Sequence, residues 1–330
     1  MASANPRAIF PPTQKRRVSA GAGFSGLVKN SFTLPTLLLL GGLGQGLLSL
    51  ILPPRYALLP LLFLLLRAAV LTAVDLSLGA NHYLKKLGVI PGRTSAQLPA
   101  AKTYNPLASP SSKETPPPPT PFGTKPSETP TVVFHLGIRF NHPLGPLCPS
   151  GSEVGAHFQA SHSDLLQHAR EHGCLGATTW HGGDAARNNT LLYIYYFRDA
   201  AGLHRFAHSP VHRRAWDWFN KTVLGERKHG HIGIFHEVFC APAGGYESIY
   251  INMPPELMGA GYAGVENEAT ERRSGCGLWW MRPGRCGGVR CRGWGGGRRR
   301  VRWLGRGDTT SEAPLVPKVS EVGTVGSHMR

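Results

Sequence analysis

The chain has 330 residues, 41% of them hydrophobic, and a formal net charge of +17. That length admits one or two domains, and so basic a protein would ordinarily suggest nucleic-acid binding. The charge sits at the ends, however: residues 1–130 carry 13 Lys/Arg against 3 Asp/Glu and residues 271–330 carry 13 against 4, whereas residues 131–270 carry 10 against 12. A near-neutral middle argues against nucleic acid as the partner of the folded part.

Residues 1–31 read as a basic, unstructured N-terminus. Phe32 to Leu52 is an uncharged stretch of 21 residues. At about 1.5 Å per residue it can cross a hydrocarbon core of about 30 Å. Gly41, Gly42 and Gly44 are compatible with a membrane helix, and Pro53 and Pro54 end it. A second apolar run, Tyr56 to Val74, contains Pro60 and Arg67. An arginine at mid-bilayer costs about 3 kcal/mol on insertion scales. This run therefore crosses with Arg67 snorkelling outward, or lies in the interface.

Residues 32–75 thus predict a transmembrane helical hairpin with spans at about 32–52 and 56–74, and the lipid bilayer as a partner. A cleaved signal peptide would begin nearer residue 1, and a buried core hairpin would be less uniformly apolar. Lys15, Arg16, Arg17 and Lys29 precede the pair, and Lys85, Lys86 and Arg93 follow it. The positive-inside rule then places both ends, and the main domain, on the cytosolic side. Residues 76–130 read as an amphipathic segment and a proline-rich linker. Pro116 to Pro119 lie in an extended, solvated spacer.

A patterned domain is predicted over residues 131–260. Thr131 to Phe140 alternates as a strand, with Val132, Phe134, Leu136, Ile138 and Phe140 on one face and His135, Gly137 and Arg139 on the other. Residues 152–172 carry a helical stripe of Val154, Phe158, Leu165 and Ala169, stopped by Gly173. Strands follow at 177–181 and 190–198. A short helix from Asp199 to about His208 is broken at Ser209-Pro210, and a longer one runs from Pro210 to Thr222. Further strands are expected at 231–240 and 247–252.

The order β-α-β-β-α-β is the ferredoxin-like α+β arrangement. Both faces of strands 131–140 and 231–240 carry apolar residues. A second copy closing a two-sheet barrel would cover the outer face, with the binding cavity between the sheets. Six cysteines include no Cys-x-x-Cys pair, so no zinc site is expected.

Several motifs carry a resemblance: Phe140-Asn141-His142-Pro143-Leu144-Gly145, the run from Phe197-Arg198-Asp199 through Ala207-His208-Ser209-Pro210-Val211-His212-Arg213-Arg214-Ala215-Trp216, and Ile232-Gly233-Ile234-Phe235-His236-Glu237. Over about residues 131–260 the chain resembles a group of monooxygenase-like proteins found in bacteria and, with a membrane hairpin, in fungal secondary-metabolite pathways. The resemblance implies the dimeric α+β barrel of the antibiotic-biosynthesis monooxygenases, and hence a homodimer. It carries over no catalytic residue.

Thirteen of the fifteen histidines fall within residues 131–240, and histidine moves protons near neutral pH. His204, His208 and His212 are spaced by four, but Pro210 interrupts the stripe, which argues against a metal site on one helix. His208 and His212 beside the break are the candidate catalytic bases. Arg139, whose partner across the strands would be Glu237, is the candidate clamp for an anion. His135, Tyr193, Tyr195, Trp216 and Glu237 are candidates for substrate contact, with core packing the plain alternative for the tyrosines and an ion pair for Arg139 and Glu237. No glycine-rich nucleotide loop occurs, so no cofactor is expected. A histidine-bound haem is the variant to test.

Residues 261–330 read as an Arg/Gly/Trp-rich disordered tail, either a basic interaction tail or sequence from a wrong frame. These readings converge on a membrane-anchored monooxygenase acting on a hydrophobic metabolite. The chemistry would be cofactor-independent proton abstraction and reaction with oxygen. The alternative is a non-catalytic membrane-tethered binding or scaffolding module.

Overall fold

The computed structural model describes residues 7–10, 13, 32–100, 103–104, 122–123, 127–183, 189–225, 229–268 and 272–281. Packing separates Met1–Val289 from Arg290–Arg330, and the second unit lies outside the described residues. So do most of the proline-rich linker and most of the basic N-terminus.

Helix α1 (Leu34–Ile51) begins where Thr33 caps it, its side chain accepting from the Thr36 amide. A short helical turn, Pro54–Ala57, leads into α2 (Leu59–Ser77). Gln45 Nε2 donates to the Ala57 carbonyl at 2.9 Å, tying the turn back to α1. Both helices are long and apolar enough to cross a membrane. Neither is a core helix of the described fold, because Leu39 is 73% exposed and Leu66 63%. Helix α3 (Ala80–Lys86) folds back on the end of α2, where Lys86 Nζ meets Asp75 Oδ2 at 2.6 Å.

Strand β1 (Ile90–Ala96) follows, inside the stretch read as an amphipathic segment ahead of the proline-rich linker. Thr94 and Ala96 are buried, so this part of the chain packs into the fold. The central unit then runs β2 (Thr131–Phe140), α4 (Gly151–Gln167), β3 (Cys174–His181), β4 (Thr190–Phe197), α5 (Ala200–Ala207), α6 (Pro210–Phe219) and β5 (Ile232–Ala241). Its sheet has the order β3-β4-β2-β5 with every neighbouring pair antiparallel. This is the α+β arrangement expected from the element order.

The helix of the first crossover ends at Gln167, with His168–His172 in turns and Gly173 at φ +65°. Strand β3 starts three residues earlier than its hydrophobic pattern suggested. Cys174 and Leu175 are buried, and Cys174 pairs with Phe197.

Alternation along the strands separates the two sheet faces. Phe134 lies opposite Tyr195 and Val238, and Leu136 opposite Tyr193 and His236. This face packs on the helices, where Leu165, Leu203 and Phe206 bury Phe134, Tyr195 and Phe197 in one cluster. The break between α5 and α6 follows from Pro210, which suits the first turn of a helix but not its interior. Ser209 caps α6 by accepting from the His212 amide at 3.3 Å. Ser209→Ala is expected to cost about 1 kcal/mol, read as a lower midpoint of thermal unfolding.

The outer face departs from expectation. A second copy was expected to cover it, and part of it is instead covered by this chain. The covering segments are β1, β6 (Tyr250–Met253), the 3-10 turn Leu257–Ala260, β7 (Tyr262–Asn267), and the stretch holding β8 (Arg272–Gly277) and β9 (Trp279–Met281). Tyr196, Leu175, Ala96, Leu98, Met258, Ala263 and Leu278 form one buried cluster there. Strand β1 pairs with β6 on one side and β9 on the other.

The disordered tail expected from residue 261 therefore begins no earlier than the end of β9, because Ala263, Val265 and Leu278 fill a core. The uncovered part of the face shows Phe235, Phe239 and Trp180 to solvent. Phe235 lies across Gly137, where a Cβ would come within 2.1 Å of its ring.

Candidate functional site

A cavity of about 660 Å³ opens between the central sheet and helices α4, α5 and α6. Its volume falls in the usual range for small-molecule sites, about 300–1,000 Å³. Phe134, Leu136, Tyr195, Ile234, His236 and Val238 form its floor, while His157 and His162 on α4 and His212 and Trp216 on α6 form its roof. The cavity is thus on the helix side of the sheet, not between two sheets.

Six histidines line the cavity: His157, His162, His204, His208, His212 and His236. They are not equivalent. His204, His208 and His236 are exposed at its rim. His162 and His212 are half-buried and each has a fixed partner. His162 Nδ1 meets the Tyr195 hydroxyl at 2.9 Å. His212 Nδ1 lies 2.9 Å from the Ala207 carbonyl. A carbonyl only accepts, so Nδ1 of His212 carries the proton and Nε2 keeps its lone pair. The ring packs edge-on to Phe206 at 5.2 Å.

Burial pushes the His212 pKa down from the ordinary histidine value. The Ala207 contact opposes this, and nearby His236 and His208 add to it. His212 is thus neutral and basic at Nε2 near pH 7. Burial first, then Tyr193 and Cys174, hold the Tyr195 hydroxyl well above the usual tyrosine range, so it stays protonated.

The expected site residues divide between the two faces. His208, His212, Tyr195 and Trp216 line the cavity. Trp216 is stacked on Phe219 at 6.0 Å. Tyr193 shares their side of the sheet but sits behind, stacked on Tyr195 with ring centroids 5.9 Å apart. Arg139, His135 and Glu237 lie on the opposite face.

Register also corrects the expected Arg139–Glu237 pair. Arg139 stands opposite Gly233, and Glu237 stands opposite His135, with His135 Nδ1 to Glu237 Oε2 at 3.6 Å. An arginine on the outer face cannot clamp an anion in a cavity on the inner one. Among the described residues no group of three or more His, Cys, Asp or Glu is placed to hold a metal ion. His204 and His212 stand on separate helices.

Two groups were missed in the sequence. His236 alternates with Ile234 and Val238, and this same-face spacing was visible. His162 stands four residues after Phe158 on the inward stripe of α4, a position whose polarity was itself a signal.

The family model for the monooxygenase af470-like proteins matches residues 131–258. Monooxygenase af470 of Aspergillus fumigatus is 36% identical over 272 residues, which is 82% of this chain and 89% of that protein. Among solved structures, an aldoxime dehydratase in complex with butyraldoxime is 20% identical, covering 39% of this chain and 36% of that one with a TM-score of 0.33. SnoaB, a cofactor-independent oxygenase from Streptomyces nogalater, is 15% identical, covering 33% of this chain and 90% of that one with a TM-score of 0.22.

Proposed function

Because the chain belongs to the monooxygenase af470-like family, we propose that it oxygenates a hydrophobic metabolite in the cavity under α6, with His212 as the base and without a bound cofactor. The observation that carries this reading is the Nδ1 contact of His212 with the Ala207 carbonyl. It fixes the tautomer with a free lone pair on a neutral ring facing an apolar chamber. Such a base suits an acidic C–H or a phenol, whose conjugate anion is rich enough in electrons to reduce oxygen.

The proposed steps balance without an outside reductant. His212 Nε2 takes a proton from an activated CH₂ and leaves a carbanion or enolate. That anion reduces O₂ and forms a C–O bond, giving a peroxide. His212 returns its proton to the peroxide. Loss of water then leaves a ketone or quinone, with one oxygen atom in the product and one in water. The Tyr195–His162 pair and the imidazolium formed at His212 are the donors the cavity offers to the anion. Arg139 has no part in this scheme.

Membrane anchoring is part of the same proposal. Two helices of exposed leucines favour an apolar surrounding. Bilayer residence also suits a substrate poorly soluble in water. The basic flanks favour a cytosolic domain, and the uncovered aromatic face around Phe235 and Phe239 suits a second copy.

Oxygen uptake by the purified full-length protein with phenolic and polyketide substrates tests the reading. Uptake is expected without added cofactor, and Arg139→Met is expected to retain it. A Soret band whose loss abolishes turnover would overturn the cofactor-free mechanism. Turnover that persists when His212 is replaced would overturn the role of that residue.

A further inference from the structure

The small sheet beside the membrane helices has a side that the cavity chemistry does not use. Ile249 is 46% exposed, Ile251 61% and Met253 41%. Ile249 directly precedes β6, Tyr250 packs inward, and Ile251 and Met253 flank Asn252, whose φ is +52°. Across the strand pair Ile90 stands opposite Met253 and Arg93 opposite Ile251, with a bulge between the two pairs, so the members of each pair share a side. Strand β6 is the last strand of its sheet. Edge strands usually show charge to solvent, yet this one shows aliphatic side chains beside one exposed arginine.

The course of the chain says what lies against it. Helix α3 is tied to the last turns of α2 by Lys86 and Asp75. Leu87, 64% exposed, and Gly88 at φ +71° then lead into β1. From Lys86 to Ile90 even a fully extended chain covers no more than about 14 Å. The headgroup layer on each side of a bilayer is itself roughly 6 Å deep. If α2 spans, that short tether keeps the Ile90–Met253 end of this side within reach of the lipid interface.

We propose that Ile249, Ile251, Met253 and Ile90 rest in the boundary between headgroups and acyl chains, with Arg93 at the phosphates. The partner is the phospholipid bilayer itself, and the contact fixes how the domain is oriented on it. The proposal rests on the membrane-anchor reading above and goes beyond it, since a tether alone would leave the domain free to turn.

The test uses the full-length protein in vesicles of phosphatidylcholine and phosphatidylserine. The photoreactive residue benzoylphenylalanine replaces Ile251, Met253 or, as a control, the exposed Glu171. Vesicles are washed with alkaline carbonate before and after irradiation. Retention in the pellet with phospholipid adducts at 251 and 253, and their absence at 171, is the expected result. Retention with protein–protein adducts at 251 and 253 overturns the proposal in favour of a second copy. Retention with no adducts overturns it in favour of a freely turning domain. Release by carbonate overturns the anchor reading, and this proposal with it.

Discussion

Replacing His212 with asparagine is expected to lower kcat/KM by roughly 10²–10⁴-fold, the usual contribution of a positioned general base. Asparagine can still donate to the Ala207 carbonyl that holds Nδ1 in the native protein, so the end of α5 keeps its partner while the base disappears. A fold-dependent loss would appear in thermal unfolding, and little change is expected there.

The pH dependence gives an independent reading. Burial lowers the His212 pKa below its ordinary 6.5, so the neutral, basic form persists at neutral pH. Turnover is expected to be flat above about pH 6.5 and to fall as the pH drops through the lowered value. The same shift has a consequence for stability. Between the lowered pKa and 6.5 the unfolded chain binds a proton that the native chain does not. Stability is therefore fullest above 6.5 and is lost as the pH falls through the folded value. His212→Asn should remove that part of the acid sensitivity together with the activity. An acid limb unchanged in the variant would assign it to another group.

Gly202→Ala is expected to be the most damaging of the small substitutions. A Cβ at this position would lie 2.1 Å from the His172 carbonyl oxygen and 3.0 Å from its carbon. Both are backbone atoms, so no side chain can swing aside. Gly202 is buried in the first turn of α5, and its amide donates to the Asp199 carboxylate at 2.7 Å. Moving α5 away would strain that cap.

Alanine favours a helix over glycine by about 1 kcal/mol, whereas forced overpacking costs about 3 kcal/mol at the upper end of its common range. The clash wins. A fall of roughly 4–8 °C in the midpoint of thermal unfolding is expected from the net of about 2 kcal/mol at 2–4 °C per kcal/mol. A rise in the midpoint would show that α5 can shift freely.

The central unit was legible because its signals are local. Period-two alternation over Thr131–Phe140, the stripe through Val154 and Leu165, and Ser209-Pro210 as a cap followed by a first helical residue each follow from a few adjacent side chains. From these the sheet order and the placing of His208 and His212 beside a break could be derived. The Arg139–Glu237 pairing failed on register, a two-strand property that neither strand carries by itself. The actual alignment sets His135 against Glu237.

The cavity under α6 went unforeseen for a related reason. Apolar residues on both faces call for cover on both, but do not say which cover leaves a gap. Strand β1 was hidden for a third reason. Ile90–Ala96 is short, contains Pro91 and Gly92, and becomes a strand only because β6 and β9 arrive beside it from far along the chain.

That late arrival bears on how the protein is made. The Gln97 amide donates to the Leu278 carbonyl at 2.8 Å, and Ala96 and Leu278, both at 0% exposure, share one cluster. Leu278 leaves the ribosome about 180 residues after Ala96, a delay of roughly 10–40 s at ordinary synthesis rates. The two apolar helices and the central sheet are complete well before the last strands that shield the sheet's outer face. During that interval the nascent chain presents an apolar surface, and a message truncated before codon 278 would leave it open for good.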